Sequence, residues 1–147
     1  MNSSYPRVFR YSDGNSIQKN ANADLKVSFE TQTIARNRRV GIGDSVVVVA
    51  RNNKSEEMSL FVCEVVSEIG VTELWKKQGG KKWKCGYTVK PLSEVITLHK
   101  IVVEAIMDQA FSWRLFDGLA FSNPYIMHRN GSAMKKLFAY CASNHPV

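Results

Sequence analysis

Lys76, Lys77, Lys81, Lys82, Lys84 and Lys90 fall within fifteen residues and are interleaved with Trp75, Trp83 and Tyr87, while Arg36, Arg38 and Arg39 fall within four. Lysine and arginine supply the phosphate part of affinity for a nucleic acid, and aromatic faces stack on unpaired bases. The bland reading is a solvated charge run beside core tryptophans. Trp83 opens an alternating segment and is expected to be partly core. Trp75 sits in a polar, glycine-rich stretch, where an indole either folds back over the sheet or presents its face to a ligand. Phe111, Trp113, Phe116, Phe121 and Tyr125 make a second aromatic region. Helix–sheet packing accounts for most of it, with one or two rings left to line a pocket.

Catalytic constellations are scarce. The histidines are His99, His128 and His145, the first expected at a helix end and the last in a frayed tail. No Gly-x-Ser-x-Gly, P-loop or His-Glu-x-x-His pattern occurs. Cys85 lies between Lys84 and Gly86, where lysines would favour a thiolate, but a strand cysteine is more often a small apolar residue. Glu64 and Glu68, four apart in one strand, are expected on the same solvent-facing side. Asp44 follows Gly43 in a turn, a position aspartate takes for backbone reasons.

The bulk properties agree with a binding role. The chain has 147 residues, 20 Lys+Arg against 13 Asp+Glu, a net charge of +7 and 44% apolar residues. That length suits one domain, residues 1–147, and the surplus charge attracts polyanions. Cys63, Cys85 and Cys141 match neither a disulfide framework nor a zinc spacing. A reducing, cytoplasmic setting is therefore expected, with no metal, no cofactor and no membrane partner. No apolar run opens the chain as a signal peptide would, and Val46–Ala50 is too short to span a bilayer.

The elements that must position these residues are mostly strands. Tyr5–Tyr11 alternates and stops at Ser12-Asp13-Gly14-Asn15; Leu25–Phe29 alternates again. Ser45–Ala50 is a β-branched run, the mark of a strand buried on both faces. Across the turn at 52–55 its partner is Met58–Ile69, so residues 45–69 predict the central hairpin. Trp83–Lys90 predicts a further strand, ended by Pro91. Thr97 is placed to cap a helix over 98–111, with Leu98, Ile101, Val102, Ala105 and Ile106 as its apolar face. Residues 117–131 read as a loop, and Ser132 is placed to cap a last helix, Ala133–Ala142. The fold class is mixed α/β.

In order, these features resemble the PUA-like superfamily, and within it the EVE and YTH domains. Gln32-Thr33-Ile34-Ala35-Arg36-Asn37-Arg38-Arg39-Val40-Gly41-Ile42-Gly43-Asp44 is similar to the EVE segment that precedes the central hairpin. SVVVVARN with LFVCEVVSEIG looks like the paired strands, WKCGYTVKPL like the strand that follows, and Asn123-Pro124-Tyr125 with Asn130-Gly131 like a late YTH stretch. The likeness spans most of residues 5–140 and implies a small PUA-like β-barrel with helices outside. It also implies a reader that holds a modified base in an aromatic pocket, flipped out of its strand. Carried onto this chain, Tyr11, Ser12 and Asn15 would supply rim hydrogen bonds, Trp75 one cage wall, and Arg36, Arg38 and Arg39 phosphate contacts. Phe29 stands where the family carries a tryptophan, which moves a wall to Trp83, Tyr87 or Trp113.

Two other readings fit the same residues. A metal-independent nuclease of ASCH type would use Lys84, Tyr87 and Lys90, and a protein-interaction domain would set the basic surface against an acidic partner. The expected partner is DNA or RNA, and an effector domain in a longer assembly is a further candidate partner.

Overall fold

The computed structural model describes residues 6–11, 27–31, 42–52, 55–69, 85–113, 125–126 and 131–147. The strands are β1 (Arg7–Tyr11), β2 (Val27–Thr31), β3 (Ser45–Arg51), β4 (Glu57–Ile69), β5 (Cys85–Pro91), β6 (Ile96–His99) and β7 (Tyr125–Ile126). The helices are α1 (Lys100–Met107) and α2 (Gly131–Asn144). The fold is mixed α/β. One sheet runs β2-β5-β4-β3-β1-β7, with β6 also on β4, and among the described residues its ends do not join.

The hairpin β3–β4 is the centre, in register from Ser45 opposite Glu64 to Arg51 opposite Met58. The β-branched run explains why: Val46 to Ala50 are all buried, so both faces of β3 are covered. One face carries Val8, Val47, Val49, Met58, Leu60 and Val62 and packs on Val103 and Met107 of α1 and on Ala133, Met134, Leu137 and Cys141 of α2. The opposite face carries Val46, Val48, Phe61, Cys63, Val65 and Val89, each fully buried. β1 joins β3 in parallel, a pairing of residues far apart in sequence that alternation alone does not reveal.

Three expectations are corrected. Thr97 caps no helix: it lies in β6, opposite Ser59 of β4, and its hydroxyl is 3.2 Å from that of Ser59. The long β4 offers a free edge beyond β5, and Ile96–His99 takes it. α1 therefore begins later, capped by His99, whose Nδ1 accepts from the Ile101 N–H at 3.1 Å, and it ends at Met107 with Asp108 in the left-handed region. Its inner face is Val103 and Met107, whereas Ile101 is 67% and Val102 41% exposed and Ala105 is exposed. KIVVEAIM is apolar nearly all round, so docking against α2 and the sheet, not periodicity, chose the face.

At the other end of the chain, α2 starts at Gly131, which puts Ser132 inside the first turn and exposed. His145 is not frayed: its carbonyl accepts from the Glu94 N–H at 2.8 Å, and its ring lies 5.8 Å from that of Tyr140. Tyr125 and Ile126, expected in a loop, pair with Val8 and Arg7.

Around His99 the surface is organised by Glu56. Lys100 Nζ donates to its carboxylate at 2.7 Å and His99 Nε2 lies at 3.5 Å. The hydrogen bond and charge of Lys100 hold the Glu56 carboxyl below its usual value. Because His99 Nδ1 is an acceptor, its proton sits on Nε2, towards Glu56. Replacing His99 with alanine removes the cap and is expected to cost about 1 kcal/mol in urea unfolding, with His99→Asn recovering most of it. Equal stabilities of the alanine variant and the native chain would show that α1 needs no side-chain cap.

Candidate nucleic-acid interface

The sheet register arranges the candidate residues in rows. On the face opposite the helices, Tyr11 of β1 stands beside Ala50 and Ser59, Phe9 beside Val48 and Phe61, and Arg7 beside Val46, Cys63 and Pro91. The next row is Val65–Val89–Val27, and the last is Glu68–Tyr87–Phe29.

The last two rows depend on a bulge. Between Val65 and Ser67 the β4–β5 register slips by one residue, leaving Glu64 opposite Lys90 but Glu68 opposite Tyr87. Lys90 and Tyr87 are three apart in β5, so Glu64 and Glu68 occupy opposite faces. The expectation that they share a face is thereby corrected, because an extra residue inverts the alternation beyond it. Val66 and Ser67, at the bulge, are exposed.

Gly43 and Asp44 hold this irregularity from the far side. The Gly43 N–H donates to the Val65 carbonyl at 2.8 Å, and the Val65 N–H to the Asp44 carbonyl at 3.0 Å. Gly43 has φ 92°, a conformation glycine reaches without steric cost. Asp44 is more than a turn residue. Its carboxylate is 6% exposed and lies 3.6 Å from Nε of Arg7, itself 9% exposed, so a buried ion pair ties the start of β1 to the start of β3.

Thr31 pairs with Cys85 at the end of the β2–β5 ladder. Arg36, Arg38 and Arg39 follow Thr31 by five to eight residues, and Lys84, Lys82 and Lys81 precede Cys85 by one to four.

Of the residues expected to bind a base, Phe29 and Tyr87 are direct register neighbours. Tyr11 is at the other end of the same face, nine residues of β4 away, up to about 30 Å of strand. Trp113 lies on the helix-covered side, half-buried against the core. Its ring meets Phe111 edge-on at 5.0 Å and the Arg51 guanidinium at 4.9 Å. Of the nuclease trio, Lys90 is exposed in β5, three residues from Tyr87, and Lys84 lies outside the described residues. Ser12, Asn15, Arg36, Arg38, Arg39, Trp75, Lys76, Lys77, Lys81, Lys82, Trp83 and Lys84 lie outside the described residues, as do Phe116, Phe121 and His128.

The two thiols that are described are poor nucleophiles. Burial pushes the Cys63 thiol well up, and that of Cys141 up to about 12. Among the described residues no group of three His, Cys, Asp or Glu side chains is placed to hold a metal ion, and no helix is long and apolar enough to cross a membrane.

Sequence reading missed the Arg7–Asp44 pair and the placement of Glu68. The glycine before Asp44 was a usable signal for the turn; the bulge had none. No protein-family model, curated protein or solved structure matches the chain.

Proposed function

We propose that the chain is a PUA-like nucleic-acid-binding domain that holds a modified base of a single strand in an aromatic pocket. What supports this reading is the β2–β5 pairing, in which Phe29 stands opposite Tyr87, together with the sequence on either side of it: Arg36–Arg39 follow β2 and the lysines of 76–84 precede β5. Cations for the phosphates and rings for stacking are what a polyanion strand with unpaired bases requires. The net charge of +7 acts in the same direction.

Trp75 supplies a wall of the pocket. Replacing it with alanine is expected to weaken binding of a short oligonucleotide bearing the preferred modified base by about tenfold or more, since base stacking is worth ~1–3 kcal/mol. The unmodified control should change by no more than about threefold, the difference being what a cage reads. Binding is followed by anisotropy of labelled DNA and RNA carrying a panel of modified bases. Equal losses on modified and unmodified strands, or none, reject the cage.

A further inference from the structure

We infer that the outer face of α1 docks on the same face of a second copy of this chain, with the two helices antiparallel about a two-fold axis.

Residues four apart on a helix stack in rows along its surface. Val103 and Met107 are the row buried against the core. On the far side lie Ile101 and Ala105, both exposed, and beside them Val102 with the half-buried Ile106. Ile101 is 67% and Val102 41% exposed. A single exposed apolar side chain is ordinary, but here three adjoin on one short helix, the mark of a surface that meets a partner. Ala105 carries no side chain beyond its methyl group, so a facing helix axis can come within about 8–10 Å.

Charge selects the partner. Flanking the Ile101–Ala105 row is Glu104, with Lys100 one turn before it and Asp108 just past the helix end. Glu104 is exposed, as are 86% of the Asp108 side chain and 39% of that of Lys100. The flank thus runs from a cation to two acids. A two-fold axis that sets two such helices face to face and antiparallel keeps their charged flanks side by side, running in opposite directions. Each Lys100 then stands level with the acidic end of the other copy, and each Ile101 level with an Ala105. On the opposite flank Val102 and Ile106 meet their own counterparts. A parallel pair would instead set each charged flank against Val102 and Ile106, so the antiparallel arrangement is the self-complementary one.

The contacts already made leave room for this. Lys100 Nζ donates to Glu56 at 2.7 Å, and Lys136 Nζ lies 3.8 Å from Asp108. An ammonium has three donors and a carboxylate several acceptor sites, so each group keeps its partner and takes another. The chain as a whole carries +7, and two copies repel over most approaches. Around α1, Glu56, Glu57, Glu104 and Asp108 outnumber Lys100 and Lys136, so this face carries none of that surplus.

Sedimentation equilibrium of the full chain, freed of nucleic acid, tests the docking. The weight-average mass should rise from 16.6 kDa towards twice that value with concentration. A Kd on the order of 100 µM suits a contact smaller than a standard interface. Ile101→Glu changes a solvent-facing position and should leave the urea midpoint in place. It should weaken association about tenfold or more, because it carries a carboxylate into an apolar seam. Lys100→Glu and Asp108→Lys should each weaken association alone and restore it when mixed, since only the mixed pair matches its charges at both ends. A native chain that stays monomeric up to about 1 mM, some tenfold above that Kd, overturns the docking. An Ile101→Glu chain that associates like the native one also overturns it, and so does a mixture no stronger than its separate components. If a charge variant loses its fold, Ile101→Glu decides alone.

Discussion

In urea, the Asp44→Ala chain is expected to unfold with about 3–5 kcal/mol less stability than the native one, because it breaks a buried ion pair with Arg7 from one side. Small domains hold a total of about 5–15 kcal/mol, so this one change removes a large share. The loss is that of breaking a buried pair from one side, not the net worth of the pair. Arg7→Met combined with Asp44→Leu, which removes both charges and keeps the volume, should recover most of the stability. The backbone bonds from Val65 to Asp44 and from Gly43 to Val65 do not involve the side chain, so the bulge itself should persist in both variants. A single variant within about 1 kcal/mol of the native chain would show that solvent or another group takes over the Arg7 charge.

The second large effect concerns salt. If Arg36, Arg38, Arg39, Lys76, Lys77, Lys81, Lys82 and Lys84 each meet one phosphate, affinity for a single strand should fall about 10³-fold between 50 and 200 mM salt, at ~0.7 decades per decade of salt for each contact. The three arginines changed together to alanine should reduce the slope by about 2. Changing Lys76, Lys77, Lys81 and Lys82 should reduce it by about 3. Both reductions are expected on the same oligonucleotide, since the arginines follow β2 and the lysines precede β5, which are paired strands. A slope untouched by either set of changes would mean that the strand lies elsewhere on the sheet. Acidic protein partners also respond to salt, so tryptophan quenching by the oligonucleotide is measured alongside the slope; a base near an indole is needed for it.

Much of the sheet was legible before any tertiary contact was known. An uninterrupted run such as Val46–Val49 is stable only with both faces covered, and the turn residues at 52–55 leave its partner little choice. The same holds for the alternating segments of β2 and β5. Legibility fell where two local patterns were equally good. Ile96–His99 reads as the start of a helix or as a short strand, and the open edge of β4 decides for the strand. α1 offers apolar residues on several sides, and contact with α2 turned Val103 and Met107 inward, leaving Ile101 and Val102 outside.

The basic surplus, the aromatic residues among the lysines and the β-branched hairpin belong to the sequence by itself, since composition and period-two patterning act within a few residues of each position. Which of those residues meet was decided by long-range pairing alone. The ladder of β2 on β5 sets Phe29 opposite Tyr87 and apart from Tyr11 in the strand order. The bulge between Val65 and Ser67 slips the β4–β5 register by one residue. Neither has a local signature, because strand partners and register are settled by what the rest of the chain leaves exposed.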